Sequence, residues 1–170
     1  MIILEKLKAN ISSLEELLLL IHIFFMVTIL PIMLKRLSVS KLMQVFTPRN
    51  TISYKKKDMK KYKENIVKFT DYILNLTPGM WKGTCLKRSL VLYFLLRKLG
   101  MDVRICFGTR YNTRLSKQEA KKHLEGHAWL IYKGSIFLER NTELTKTYTM
   151  TYSFPQGHNL ILRNHLKDFT

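Results

Sequence analysis

The chain has 170 residues, is 46% hydrophobic and 11% aromatic, and carries 29 Lys+Arg against 12 Asp+Glu for a formal net charge of +17. That length and apolar content exclude a disordered chain and fit one domain with an appended segment. Two cysteines, Cys85 and Cys106, exclude a disulfide framework, favour a reducing compartment, and leave a thiol free for chemistry.

The charge attracts an anionic partner. The sequence has no zinc-finger spacing, no RRM-type aromatic motif and no helix-turn-helix, so nucleic acid is not an expected partner. The amino terminus does not read as a secretory signal. Glu5, Glu15 and Glu16 precede the apolar run, and no small-residue cleavage site follows it. A cytoplasmic location is therefore expected.

Residues 17–34, LLLLIHIFFMVTILPIML, form an apolar run of 18 residues interrupted by His22, Thr28 and Pro31. This is the lower edge of what crosses a bilayer, and the Lys35-Arg36 pair that follows would keep the carboxyl side in the cytoplasm. The same run also reads as a buried or partner-facing helix kinked near Pro31. Both readings stand. Residues 1–50 are expected to form an apolar N-terminal helical segment, membrane-associated in the first reading, and residues 51–170 the domain proper.

After a short apolar-basic stretch and the charge run YKKKDMKKYK, helical spacing of Tyr62, Ile66, Phe69, Ile73 and Leu76 predicts a helix over 58–76, stopped by Thr77-Pro78-Gly79. The basic run is a membrane- or partner-facing tract or a solvated helix face. A second helix starts at Thr84 or Cys85 and ends at Gly100, suited to the left-handed position after a helix. The period then changes from helical to extended. VRICFGTRY reads as a strand, residues 112–126 as a polar loop, and HAWLIY-KG-SIFLE as a hairpin, with KTYTMTYSFP adding an edge strand. Helices first and an antiparallel sheet afterwards make an α+β fold.

Cys85 carries the chemical interest. With Thr84 as N-cap, it takes the first helical position, where unpaired amides stabilise a thiolate and the oxyanion that its attack on a carbonyl would create. The position equally suits a cysteine that only fills core. A base must come from His22, His123, His127, His158 or His165. The HLEGH stretch lacks the order of a zinc-binding helix, so no metal site is expected. His127 opens a strand. A two-residue turn at Lys133-Gly134 pairs it with Arg140; a three-residue loop sets it opposite Glu139, whose carboxylate would then fix the imidazole tautomer. Sequence leaves the register open.

CLKRSLVLYFLLRKLG, VRICFGTR and GHAWLIYKGSIFLE, in that order, resemble the transglutaminase-like peptidases that process lasso-peptide (microcin-type) precursors, over roughly residues 60–142. The resemblance implies a papain-like catalytic helix packed on a small antiparallel sheet. It implies Cys85 as nucleophile, His127 as base and Glu139 as the orienting acid, where the family usually has aspartate. Asn141 is an alternative orienting residue. Trp81 could donate to an oxyanion and Arg88 could hold a substrate carboxylate or serve as an ion-pair residue. The activity implied is removal of the leader from a ribosomally made precursor peptide, with an acyltransferase or an inert accessory protein as the alternatives. No bound cofactor is implied, and any nucleotide requirement is open. The implied partners are the precursor, an asparagine-synthetase-like macrolactam cyclase and a leader-recognition protein. Residues 1–50 are too apolar to supply that recognition domain, so it is expected as a separate chain.

Overall fold

A computed structural model describes residues 13–48, 50–51, 56–76, 85–111 and 124–155. In chain order the elements are α1 (Leu14–Arg36), α2 (Val39–Val45), α3 (Lys56–Leu76), α4 (Cys85–Lys98), β1 (Val103–Tyr111), β2 (Leu124–Tyr132), β3 (Ser135–Phe137), α5 (Thr142–Lys146) and β4 (Thr149–Phe154). The architecture is α+β, with helices preceding one antiparallel sheet of order β3-β2-β1-β4.

Helix α1 begins at Ser13, whose hydroxyl accepts the Glu16 amide at 3.3 Å. Acids stand in its first turn and Lys35 and Arg36 in its last, as the helix dipole favours. Pro31 lies within it. It is long and apolar enough to cross a membrane, yet one face is buried in the protein. Leu19, Ile23, Val27 and Leu30 of α1 share a single core with Leu42 and Met43 of α2, Ile66 and Phe69 of α3, and Leu90, Tyr93 and Leu96 of α4. Residues on both sides of position 50 therefore contribute to one hydrophobic core.

Helix α4 ends as its sequence dictates. Gly100 takes φ +76, donating to the Arg97 carbonyl at 2.9 Å while the Met101 amide donates to Leu96 at 3.1 Å. A left-handed residue here satisfies carbonyls that the helix leaves open.

Alternation assigns the two faces of the sheet. Val103, Ile105, Leu130 and Tyr132 join the large core beneath the helices. Cys106, Trp129 and Ile131 point to the other face, where Ile136, Tyr148 and Met150 cover them. Strand β2 begins at Leu124, three residues earlier than the polar-loop reading expects, because β1 pairs with it along its whole length. Helix α5 is an element the sequence reading did not expect.

The β2–β3 hairpin has the two-residue turn. Lys133 (φ 50) and Gly134 (φ 81) are both left-handed, and Leu130 pairs with Phe137. The three-residue register is thus not the one adopted, and Glu139 does not sit across a ladder from His127. Strand β3 ends at Phe137 because Leu138 turns to φ 54, a conformation that leaves the extended region.

Gly108 pairs with His127 in the β1–β2 ladder. A Cβ on it would lie 2.6 Å from the Thr149 carbonyl and 2.7 Å from the Trp129 ring. Gly108→Ala is expected to lower stability by about 1–3 kcal/mol through overpacking, read as a lower denaturation midpoint with native secondary structure retained.

Candidate active site

Cys85 is the first residue of α4, and Ser89 follows one turn later on the same side. The Ser89 hydroxyl donates to the Ala128 carbonyl at 2.8 Å, a buried hydrogen bond between α4 and β2. The Ala128 amide donates to the Cys85 sulfur, as does the Leu86 amide. Strand β3 stops opposite Leu130. Both polar groups of Ala128 therefore meet α4, beyond the end of β3, and Cys85 comes to rest beside His127, the residue before Ala128.

The Cys85 thiol and the His127 ring are hydrogen-bonded. At the far nitrogen, Nε2, His127 meets the Glu139 carboxylate at 3.5 Å and the Thr145 hydroxyl at 3.3 Å. Thr145 already donates its proton to the Asn141 carbonyl at 2.9 Å, so towards His127 it can only accept. Two acceptors at Nε2 place the ring proton there and leave Nδ1 for the thiol. Trp129 stacks on the imidazole with centroids 5.9 Å apart, and Tyr148 lies at 4.9 Å. Aromatic faces favour a cationic ring.

The electrostatics follow from these contacts. Burial opposes ionisation of Cys85, but the hydrogen bonds from His127 and the two amides outweigh it, so the thiol titrates below the usual cysteine value. His127 is raised to about 9, first by Cys85 and then by Glu139, against the effect of burial. Burial likewise opposes ionisation of Glu139, and His127 and the Arg140 amide overcome it. Each member of the pair thus favours the charged form of the other. Cys106 is the opposite case: 1% exposed, its thiol is pushed up by burial to about 12.

Glu139 reaches His127 by the kink at Leu138, and that kink is held from the helices. The Arg88 guanidinium donates to the Leu138 carbonyl at 2.7 Å and grips both carboxylate oxygens of Asp71 on α3, at 2.7 and 3.2 Å. Arg140, on the other side of Glu139, also donates to Asp71, at 2.7 Å. Arg88 is thereby engaged as an ion-pair residue. Asp71 is correspondingly held below the usual carboxylate range, burial opposing and the two arginines prevailing.

Of the other residues singled out by sequence, Asn141 caps α5, its side chain accepting the Leu144 amide at 2.9 Å. It supports His127 only through its carbonyl, by way of Thr145. Trp81, and the Thr84 cap, lie outside the described residues. Asp71, Thr145 and Tyr148 were missed. The one local signal was Asn141 before Thr-Glu-Leu, a cap pattern that announces the short helix carrying Thr145. Among the described residues no three His, Cys, Asp or Glu side chains converge as metal ligands. A cavity of about 580 Å³ opens at this end of the sheet, lined by Thr109, Arg110, Tyr111, Leu124, Thr147 and Thr149. Arg110 packs on Tyr148 at 4.6 Å, which joins this cavity to the His127 environment.

A family model described as the transglutaminase-like superfamily matches residues 26–153. No curated protein and no solved structure matches the chain.

At neutral pH iodoacetamide is expected to label Cys85 and spare Cys106, as read by peptide mass spectrometry. In His127→Ala the largest force lowering the Cys85 pKa is gone, so the pH midpoint of labelling should move up. Arg88→Lys keeps the charge but cannot bridge Asp71 and Leu138. It is expected to cost about 1–3 kcal/mol of stability and to move the His127 titration downward from about 9, measured by NMR, as Glu139 loses its hold.

Proposed function

Because the chain belongs to the transglutaminase-like superfamily, we propose that it is a cysteine peptidase that removes the leader from a ribosomally made precursor during lasso-peptide maturation. The superfamily scaffold supports cysteine peptidase and acyltransferase chemistry. The observation that carries the enzymatic reading is the hydrogen bond between Cys85, at the start of a helix, and His127, whose other nitrogen faces Glu139. The narrower reading, leader removal, draws on the combination of Cys-Leu-x-Arg-Ser with His-Ala-Trp and an acid twelve residues beyond the histidine.

In this reaction the Cys85 thiolate attacks the scissile carbonyl, forming a C–S bond while negative charge moves onto the carbonyl oxygen. Amides at the amino terminus of α4 stabilise that oxygen. His127 then gives its proton to the departing amine as the C–N bond breaks. Water, deprotonated by the now neutral ring, releases the acid and restores the thiol. Glu139 and Thr145 hold the imidazole with Nδ1 towards sulfur throughout. The cavity beside Tyr148 offers room for several side chains of a peptide. The precursor would be presented by a separate leader-recognition protein, and the freed core passed to an asparagine-synthetase-like macrolactam cyclase.

The test is incubation of the purified chain with a leader–core precursor and its recognition protein, followed by mass spectrometry. Cleavage at the junction is expected, with Cys85→Ala and His127→Ala each reducing turnover by about 10³-fold or more and Glu139→Gln by less. Retained turnover in Cys85→Ala would overturn the enzymatic reading. Product that carries an added amine in place of water would assign an acyltransferase instead.

A further inference from the structure

The outward face of α1 has no place in the chemistry above. Leu14, Leu18, Ile21, Phe25, Ile29 and Ile32 recur at helical spacing along it and are between 42% and 71% exposed. Phe24, beside them, is half exposed and edge-on to Phe25. At 1.5 Å per residue the stripe runs about 27 Å. An apolar strip of this size on a soluble surface marks a docking site.

Charge selects the occupant. By the helical period, Arg36 continues the line of the stripe at its carboxyl end and Lys35 lies to one side of it. Midway, Lys98 of α4 lies over the Phe94 ring on which His22 packs. Cations thus stand at the carboxyl end of the apolar face and beside its middle, on a chain of net charge +17. A second copy would bring the same positive field. The two acids of α1 are both in its first turn, and one of them, Glu16, is buried.

We propose that the protein docks on an anionic lipid bilayer through this face, with α1 lying in the plane of the headgroups. Apolar side chains enter the acyl boundary and the neighbouring cations meet anionic headgroups. The helix does not cross. Its inner face is the core itself, with Leu19, Ile23, Val27 and Leu30 all nearly inaccessible. Its buried Glu16 is held by Asn65 and Lys61 of α3. A crossing helix would have to abandon that core or drag the lysines of α3 into hydrocarbon. The docking surface stands apart from Cys85 and does not depend on the peptidase reading.

The test uses the full purified chain and vesicles of phosphatidylcholine, with and without phosphatidylglycerol. Sedimentation with the anionic vesicles is expected to be about tenfold stronger or more, to weaken with salt, and to reverse in alkaline carbonate. The paired variant Phe25→Glu/Ile29→Glu changes only exposed positions. It should lose vesicle binding while keeping the wild-type circular dichroism and melting midpoint. Equal binding to neutral vesicles, or none to either, overturns the proposal. So does resistance to carbonate with a protease-protected segment, which would mean crossing. A concentration-dependent dimer without vesicle binding would assign the face to a second copy.

Discussion

One buried hydrogen bond, from the Ser89 hydroxyl to the Ala128 carbonyl, sets the spacing between the two halves of the site. It fixes α4 against β2 one helical turn below Cys85 and one residue from His127. Without a partner for the Ala128 carbonyl, a buried acceptor would be left unsatisfied at the junction of helix and sheet, a cost comparable to a sizeable part of a small domain's stability. The tie therefore serves stability and geometry together. It also gives physical sense to the serine and the cysteine in Cys-Leu-x-Arg-Ser, which occupy one side of α4 at a separation of four.

The arginine in the same stretch faces elsewhere. From its place on α4, Arg88 crosses to Asp71 on α3 and to the Leu138 carbonyl, so that helix packing is transmitted to the turn that carries Glu139. Three segments far apart in sequence then meet around one imidazole: the start of α4, the beginning of β2, and the stretch from Leu138 to Thr145. Each is held by contacts made outside the site. This is how a half-buried thiol beside a charged ring can persist: the surrounding structure, and not the pair itself, fixes the distance.

Much of this was legible in the residues. The alternation of Val103 to Tyr111, the stop at Gly100 and the lysine–glycine turn each rest on local rules of periodicity and left-handed backbone, and the structure places the corresponding elements there. The placement of Cys85 at a helix start rests on the same kind of signal. What sequence could not show was non-local or conformationally unusual. The ladder that would have set Glu139 opposite His127 does not form; a leucine in left-handed conformation brings the acid round by another route, and nothing in the local sequence favours such a leucine. Asp71 lies on a different helix from Arg88, so no spacing rule joins them. Asn141 was noticed as a side chain, whereas its cap and its carbonyl are what matter to Thr145. The division near residue 50 was drawn from composition, which cannot reveal that an apolar helix shares its inner face with helices that follow.

The turn at Leu138 also bears on why residue 139 is a glutamate. Its carboxylate stands 3.5 Å from the imidazole. Removing one methylene would draw the oxygens back by about 1.5 Å, the length of a carbon–carbon bond, and the contact would be gone. A lineage that exchanged this acid for the shorter one would need the bend at Leu138 to close in the same evolutionary step. Side-chain length and backbone shape are in this sense a single inherited character, and descendants of this chain should change both or neither.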